Sequence, residues 1–356
     1  MASRWSLILA LVFSATAITA CGGEGSRTPP LASGAVGSAG FADDSSPIEP
    51  GSALFPDHII VIVMENHSLD DIVGATNVNG HHLFAPFLTQ AAQTDRLATM
   101  AFGVAHPSLP NYLSMISGDF FGVHDDNGSC YAPGHPRGCH SFTSKNLVDS
   151  LEAAGLTWAS YNQSMPRPGY LAQEYPHNGD GLYRQKHNPF VYFKDIATSP
   201  KRLTNVETFV DLEKALSVGR LPNFSYIVPD ECHDMHGSSP YCPGPTNRLI
   251  AEGDTTAQKL VQEIIGSGAF TEKSLLFITW DEGYNNLGCC DAPPLQSGGH
   301  IPLILITSIP GAVRSARLYN HYSLLATIED VWKLPKLGYT SDTKKVKPML
   351  DLLPSQ

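Results

Sequence analysis

Four stretches of this chain carry polar side chains at spacings that suit chemistry. Glu65-Asn66 and Asp281-Glu282 each directly follow a run of apolar residues. Carboxylate and amide oxygens from two such places can close around a hard or borderline cation. The segment from Asp230 to His236 holds two histidines, two aspartates and a glutamate within seven residues. Asp and His interleaved in this way suit metal binding or proton transfer, as well as a solvated acidic loop. Ser108 lies in His106-Pro107-Ser108-Leu109-Pro110-Asn111. Proline is tolerated in a first helical turn, so Pro110 predicts a helix with Ser108 at its N-terminus. Free N–H groups and a partial positive field there favour an oxyanion or a phosphate. A serine hydroxyl becomes a nucleophile once a metal or base activates it. The plainer reading of Asn66 and Ser108 is helix N-capping. His300 follows Gly298-Gly299 ahead of an apolar run, and His321 opens a helix; a lone histidine also serves structure.

The elements that must position these groups are read from the apolar pattern. Residues 59–64 form an unbroken β-branched run, suited to a strand buried on both faces of a parallel sheet. Further strands are expected at 97–103, 156–161, 224–228, 275–280 and 303–307. Helices are expected at 84–92, 144–154, 206–218, 254–265 and 324–332, besides the one containing Pro110. The alternation predicts an α/β domain, in which the functional crevice lies beyond the carboxyl ends of the strands. Glu65-Asn66, Asp230–His236 and Asp281-Glu282 all fall at such ends. Residues 118–141 read as a disulfide-pinned flap. The Tyr-, Pro-, Asn- and His-rich stretch 162–200 reads as a substrate-binding insertion or a loop packed by its own aromatics.

At 356 residues, 42% apolar and 16% charged, the chain is globular with a sizeable core. Its net charge of −11 argues against nucleic acid or an anionic membrane as an electrostatic partner. An anionic substrate must then be attracted by something local, such as a metal ion. Residues 1–21 read as a targeting segment: Arg4 precedes an apolar run too short to span a membrane comfortably. It closes as Ile18-Thr19-Ala20-Cys21, which resembles a bacterial lipoprotein signal with Cys21 lipidated; an ordinary secretory signal is the alternative. Residues 22–53, rich in Gly, Ser, Ala and Pro, read as a flexible spacer, leaving 54–356 as the catalytic body. The other six cysteines suggest three disulfides in an exported chain. Local pairs 130–139 and 232–242 would leave a vicinal Cys289-Cys290 pair; interchanged pairings are the alternative, since spacing alone does not fix connectivity. A thiolate metal site finds no CxxC spacing to support it.

In order along the chain, ENHSLDDIVG, HPSLPNY, DECHDMHG, TWDEG and GGHIPLILIT resemble the phosphoesterase family of bacterial acid phosphatases and phospholipases C. The resemblance spans residues 56–335 and implies an alkaline-phosphatase-like three-layer α/β/α sandwich with a mostly parallel central sheet. It implies Glu65, Asn66, Asp281 and Glu282 as ligands of one divalent ion (calcium, magnesium, manganese or zinc) and Ser108 as nucleophile. Asn111 is implied at a phosphoryl oxygen, with Asp234 and His236 lining the site; His321 joins Asn111 and Asp234 as a candidate phosphate contact. His236 or His300 would protonate the leaving oxygen. At His300 this chain departs from related phospholipases, which often carry Arg before Val-Pro. The expected activity is an exported, envelope-tethered phosphomonoesterase working through a phosphoserine, with a small phosphate ester as substrate. The alternatives are a phospholipase C acting on phospholipid headgroups and a lipoprotein that uses the fold only to bind a ligand. HPSLPN differs from a Cys- or Ser-led sulfatase sequence.

Overall fold

Five β-branched residues and a methionine make up the central strand, β1 (Ile59–Met64), and all six are buried. In the computed structural model the described residues are 55–74, 84–135, 137–290 and 297–354. The targeting segment, Cys21 and the spacer lie outside them. Along the chain, β1 is followed by β2 (Arg96–Ala98), β3 (Trp158–Asn162), β4 (Val206–Thr208), β5 (Phe224–Val228), β6 (Leu275–Trp280), β7 (Leu303–Thr307) and β8 (Val313–Ser315). These form one sheet in the order β8-β2-β7-β6-β1-β5-β3-β4. All run the same way except β7, which is antiparallel to both neighbours. Double-sided burial is why β1, β5, β6 and β7 read as continuous apolar runs rather than alternating ones.

Among the described residues, six helices of seven or more residues cover the sheet: α1 (Pro86–Thr94), α2 (Ser108–Ser117), α3 (Leu147–Ala153), α4 (Phe209–Ser217), α5 (Thr246–Gly266) and α6 (His321–Val331). α1 packs on α5, while α2 packs on α3 and α6, giving the α/β/α sandwich. Cys130–Cys139, Cys232–Cys242 and the adjacent Cys289–Cys290 are disulfide-bonded.

Three expected elements differ in extent. Residues 97–103 divide, because a turn at 99–100 sends Ala101–Phe102 into a separate sheet with His300–Ile301 and Tyr319–Asn320. Residues 206–208 are strand rather than helix: the Thr208 side chain accepts from the Asp211 amide and so caps α4 there. α5 begins at Thr246, well before 254, since Leu249 and Ile250 extend its buried stripe by two turns.

The reversed β7 decides where His300 sits. Leu303 at its start pairs with Thr279 near the carboxyl end of β6, so residues 298–302 reach the functional rim without any fold-back. Two glycines permit the approach, since a Cβ on Gly298 would lie 2.5 Å from the Gly103 carbonyl carbon.

Candidate active site

β1 and β6 are neighbours in register, with Met64 opposite Trp280, so Glu65 and Asp281 leave the sheet side by side. The Asp281 amide donates to the Met64 carbonyl, and the Asn66 amide donates to Asp281 Oδ1 at 3.1 Å. Asn66 has φ +48, the left-handed region that Asn tolerates better than most residues. It is therefore not a helix cap; Ser68 caps the short turn that follows. α2 delivers the hydroxyl from the other side: Ser108 Oγ donates to Glu65 Oε2 at 3.2 Å. Tyr112, one turn further along α2, donates to Glu65 Oε1. Glu282 pairs through Oε2 with His106 Nδ1.

Glu65, Asp281 and Ser108 are almost completely buried. Burial, reinforced by Glu65 and Glu282, pushes the Asp281 carboxyl well above the usual carboxylate range. Asn66 Oδ1 and Asp281 Oδ2 have no hydrogen-bond partner among the described residues. A buried polar atom left in that state costs about 1–3 kcal/mol. Two such oxygens beside Glu65 and a serine hydroxyl make a donor set that fits a divalent cation.

A second group faces this floor from the loop after β5 and from residues 185–192, which pack on α2. His236 Nδ1 pairs with Glu231 Oε2 at 2.6 Å. Burial pulls the His236 pKa down, but the Glu231 bond and charge outweigh it and raise it to about 9. His187 Nε2 lies 3.1 Å from Glu65 Oε1, and burial drives its pKa well down. The Lys186 side chain is only 11% exposed, and its ammonium lies 3.3 Å from Asp126 Oδ2. Burial opposes its charge, but Glu65, Asp126, Glu231 and Asp281 outweigh that and hold its pKa up.

Several expected roles are corrected by side-chain position. All four hydrogen-bonding sites of the Asn111 amide go to backbone: Oδ1 accepts from Val104 and Ala105, and Nδ2 donates to the Ala105 and Pro107 carbonyls. Asn111 thus staples the loop carrying His106 and Pro107 and has no group left for a phosphoryl oxygen. Asp234 is fully buried behind His236, with Oδ1 accepting the His236 amide. It has no surface for substrate. His321 does open α6, but its Nε2 bonds the Trp280 carbonyl and burial lowers its pKa to about 4. His300 reaches the rim, yet its Nε2 bonds the Thr99 carbonyl while the ring stacks on Phe102. The Leu109 amide at the start of α2 is taken by Asp126 Oδ1, which narrows the expected anion field.

Lys186, His187, Tyr112, His106 and Glu231 form the part that sequence reading left unassigned. Lys186 and His187 lie in a 3₁₀ turn within the irregular 162–200 stretch, where no strand end marks them. Tyr112 closes the HPSLPNY motif, one turn after Ser108, but was given no role of its own.

Comparison with known proteins places this architecture. The phosphoesterase family model matches residues 81–335, and the chain belongs to that family. Its fold is that of the alkaline phosphatase superfamily. A superfamily member from Vibrio parahaemolyticus superposes with a TM-score of 0.51 at 13% identity, over 85% of this chain and 71% of that one. Among relatives, a phosphate-repressible acid phosphatase of Penicillium chrysogenum is 28% identical over 296 residues, 82% of this chain and 63% of that protein. A phosphatidylinositol-3-phosphatase of Mycobacterium tuberculosis is 28% identical over 289 residues, 81% of each chain. The chain thus spans less than two thirds of the fungal relative's length.

Proposed function

We propose that this chain is a cation-dependent phosphoric ester hydrolase, acting on phosphomonoesters with Ser108 as nucleophile. The observation that carries the reading is the Ser108–Glu65 hydrogen bond set against the unpartnered oxygens of Asn66 and Asp281. Glu65, Asn66, Asp281 and Glu282 would hold one divalent ion, which when bound supplies charge to lower the serine pKa and polarise the ester.

The chain's own groups supply the rest. Glu65 orients the Ser108 hydroxyl and accepts its proton, and Tyr112 fixes the far oxygen of that carboxylate. The Ser108 oxygen attacks phosphorus, the leaving oxygen departs, and a phosphoserine forms. His236, protonated at neutral pH and 30% exposed, gives its proton to the departing oxygen. Water then cleaves the phosphoserine: His236 takes the proton of the attacking water, and Glu65 returns its proton to the departing Ser108 oxygen. Lys186 meets the phosphoryl charge from the side of α2, taking the part first assigned to Asn111.

The second reading is a phospholipid headgroup as substrate. Tyr284 and Leu287, 62% and 56% exposed and close in sequence to Glu282, favour an apolar substituent on the ester. Export with lipid attachment at Cys21 belongs to the same proposal, supported by the Ile18-Thr19-Ala20-Cys21 sequence and three disulfides. Among the described residues no helix is long and apolar enough to cross a membrane.

The deciding experiment compares p-nitrophenyl phosphate with p-nitrophenylphosphorylcholine, with and without chelator, beside Ser108→Ala. Monoester turnover lost with both treatments is the expected result. Preference for the choline diester would move the assignment to phospholipase C, and no turnover of either ester with any divalent ion would leave a ligand-binding protein. Cys21→Ser should release the protein from the membrane fraction.

A further inference from the structure

Behind His236, three buried side chains converge without bonding to one another. His187 Nδ1 lies 3.6 Å from Glu231 Oε1 and 3.8 Å from Asp234 Oδ2. The three side chains are at most 3% exposed. Among the described residues, neither Glu231 Oε1 nor Asp234 Oδ2 has a hydrogen-bond partner. Separations of 3.6 and 3.8 Å are too long for hydrogen bonds. They suit atoms that share an ion: zinc bonds of about 2.0–2.2 Å at tetrahedral to trigonal angles put neighbouring ligand atoms about 3.3–3.8 Å apart.

We infer that His187, Glu231 and Asp234 form a second cation site, of zinc type, distinct from the one proposed beside Ser108. The ligand atoms of all three lie within 4.8 Å of one another. An imidazole nitrogen and two carboxylate oxygens are ligand types that zinc accepts, whereas calcium and magnesium prefer oxygen alone. The other two parts of the arrangement also suit an ion. His187 Nε2 lies 3.1 Å from Glu65 Oε1 without forming a hydrogen bond among the described residues, so the ring proton is not committed there and Nδ1 faces the two acids. The remaining oxygens of the two acids are already used, Glu231 Oε2 by His236 and Asp234 Oδ1 by the His236 amide, leaving one oxygen from each for the ion.

The test is metal stoichiometry of the chelator-stripped full chain, by equilibrium dialysis against zinc chloride, and the visible spectrum after cobalt(II) loading. Two equivalents are expected in the wild type. Asp234→Asn, which keeps Oδ1 for the His236 amide, should lose one equivalent together with the intense absorption of nitrogen-ligated, low-coordinate cobalt. Asp281→Asn should lose the other equivalent and keep that absorption. Glu231→Gln serves as a second variant should Asp234→Asn fail to fold by circular dichroism. An Asp234- and Glu231-independent stoichiometry would overturn this site alone. An Asp281-independent stoichiometry with the cobalt absorption intact would instead remove the cation beside Ser108.

Discussion

Lys186 and Asp126 are ion-paired at 3.3 Å, and the other Asp126 oxygen accepts the Leu109 amide next to Ser108. The pair fixes an ammonium beside the nucleophile in a pocket otherwise dominated by carboxylates. An anionic ester must find its countercharge locally, because the protein as a whole is acidic. A charge-assisted hydrogen bond contributes about 1.5–3 kcal/mol. Lys186→Met is therefore expected to lower kcat/KM by about 10–100-fold, chiefly through KM. Steady-state kinetics on p-nitrophenyl phosphate checks this, and an unchanged KM would take Lys186 out of phosphate binding.

His236 makes a prediction in pH. With its pKa raised to about 9 by Glu231, the donor form is full on the acid side and is lost as pH rises through about 9. The kcat profile of the wild type should fall on that alkaline limb. His236→Asn should lower kcat by about 10²–10⁴-fold and remove the limb. The substrate matters here: with a leaving group as acidic as p-nitrophenol the loss should be small, and with an alkyl phosphate large. Equal losses on both esters would argue against proton donation.

The fold and the floor of the site were legible because both follow from local signals. Buried parallel strands leave unbroken apolar runs, and the acids directly after β1 and β6 land at the crevice by topology alone. Strand β7 was legible as a run but its direction was not, since nothing in Leu303–Thr307 distinguishes parallel from antiparallel. The roles of Asn111, Asp234, His300 and His321 depend on where a side chain spends its hydrogen bonds, which spacing does not encode. Lys186 and His187 reach the site from a loop more than a hundred residues away from Glu65, so only tertiary structure brings them in.

Chelation should act on stability as well as on rate. Glu65, Glu231, Asp234 and Asp281 are buried together, and a bound ion relieves their mutual repulsion. An ion held at 100 times its dissociation constant adds about 2.7 kcal/mol to the folded state. EDTA is expected to lower Tm at pH 7.5 and abolish turnover, with both restored by one divalent ion. Asp281→Asn should lose the part of that Tm shift owed to the cation beside Ser108 and keep the part owed to an ion at His187, Glu231 and Asp234. Scanning calorimetry decides the point, and a Tm indifferent to EDTA in the wild type would count against a structural cation.

Glu329 links stability to pH away from the site. It is fully buried in α6, and burial raises its pKa from 4.5 to about 7 despite bonds from Leu337 and Thr340. A carboxyl with a raised folded pKa holds a proton that the unfolded chain releases. Its contribution is fully present below about 4.5 and is lost as pH rises through about 7. For so large a shift the effect reaches about 2–3 kcal/mol. Glu329→Gln keeps the oxygen that accepts from the Leu337 amide at 2.9 Å and removes the titration. The variant should gain a few degrees in Tm at pH 8 and nothing at pH 4.5, flattening the slope between. A variant that runs parallel to the wild type across that range would show that Glu329 is charged in the folded protein throughout, with Lys336 at 3.4 Å as its counter-ion.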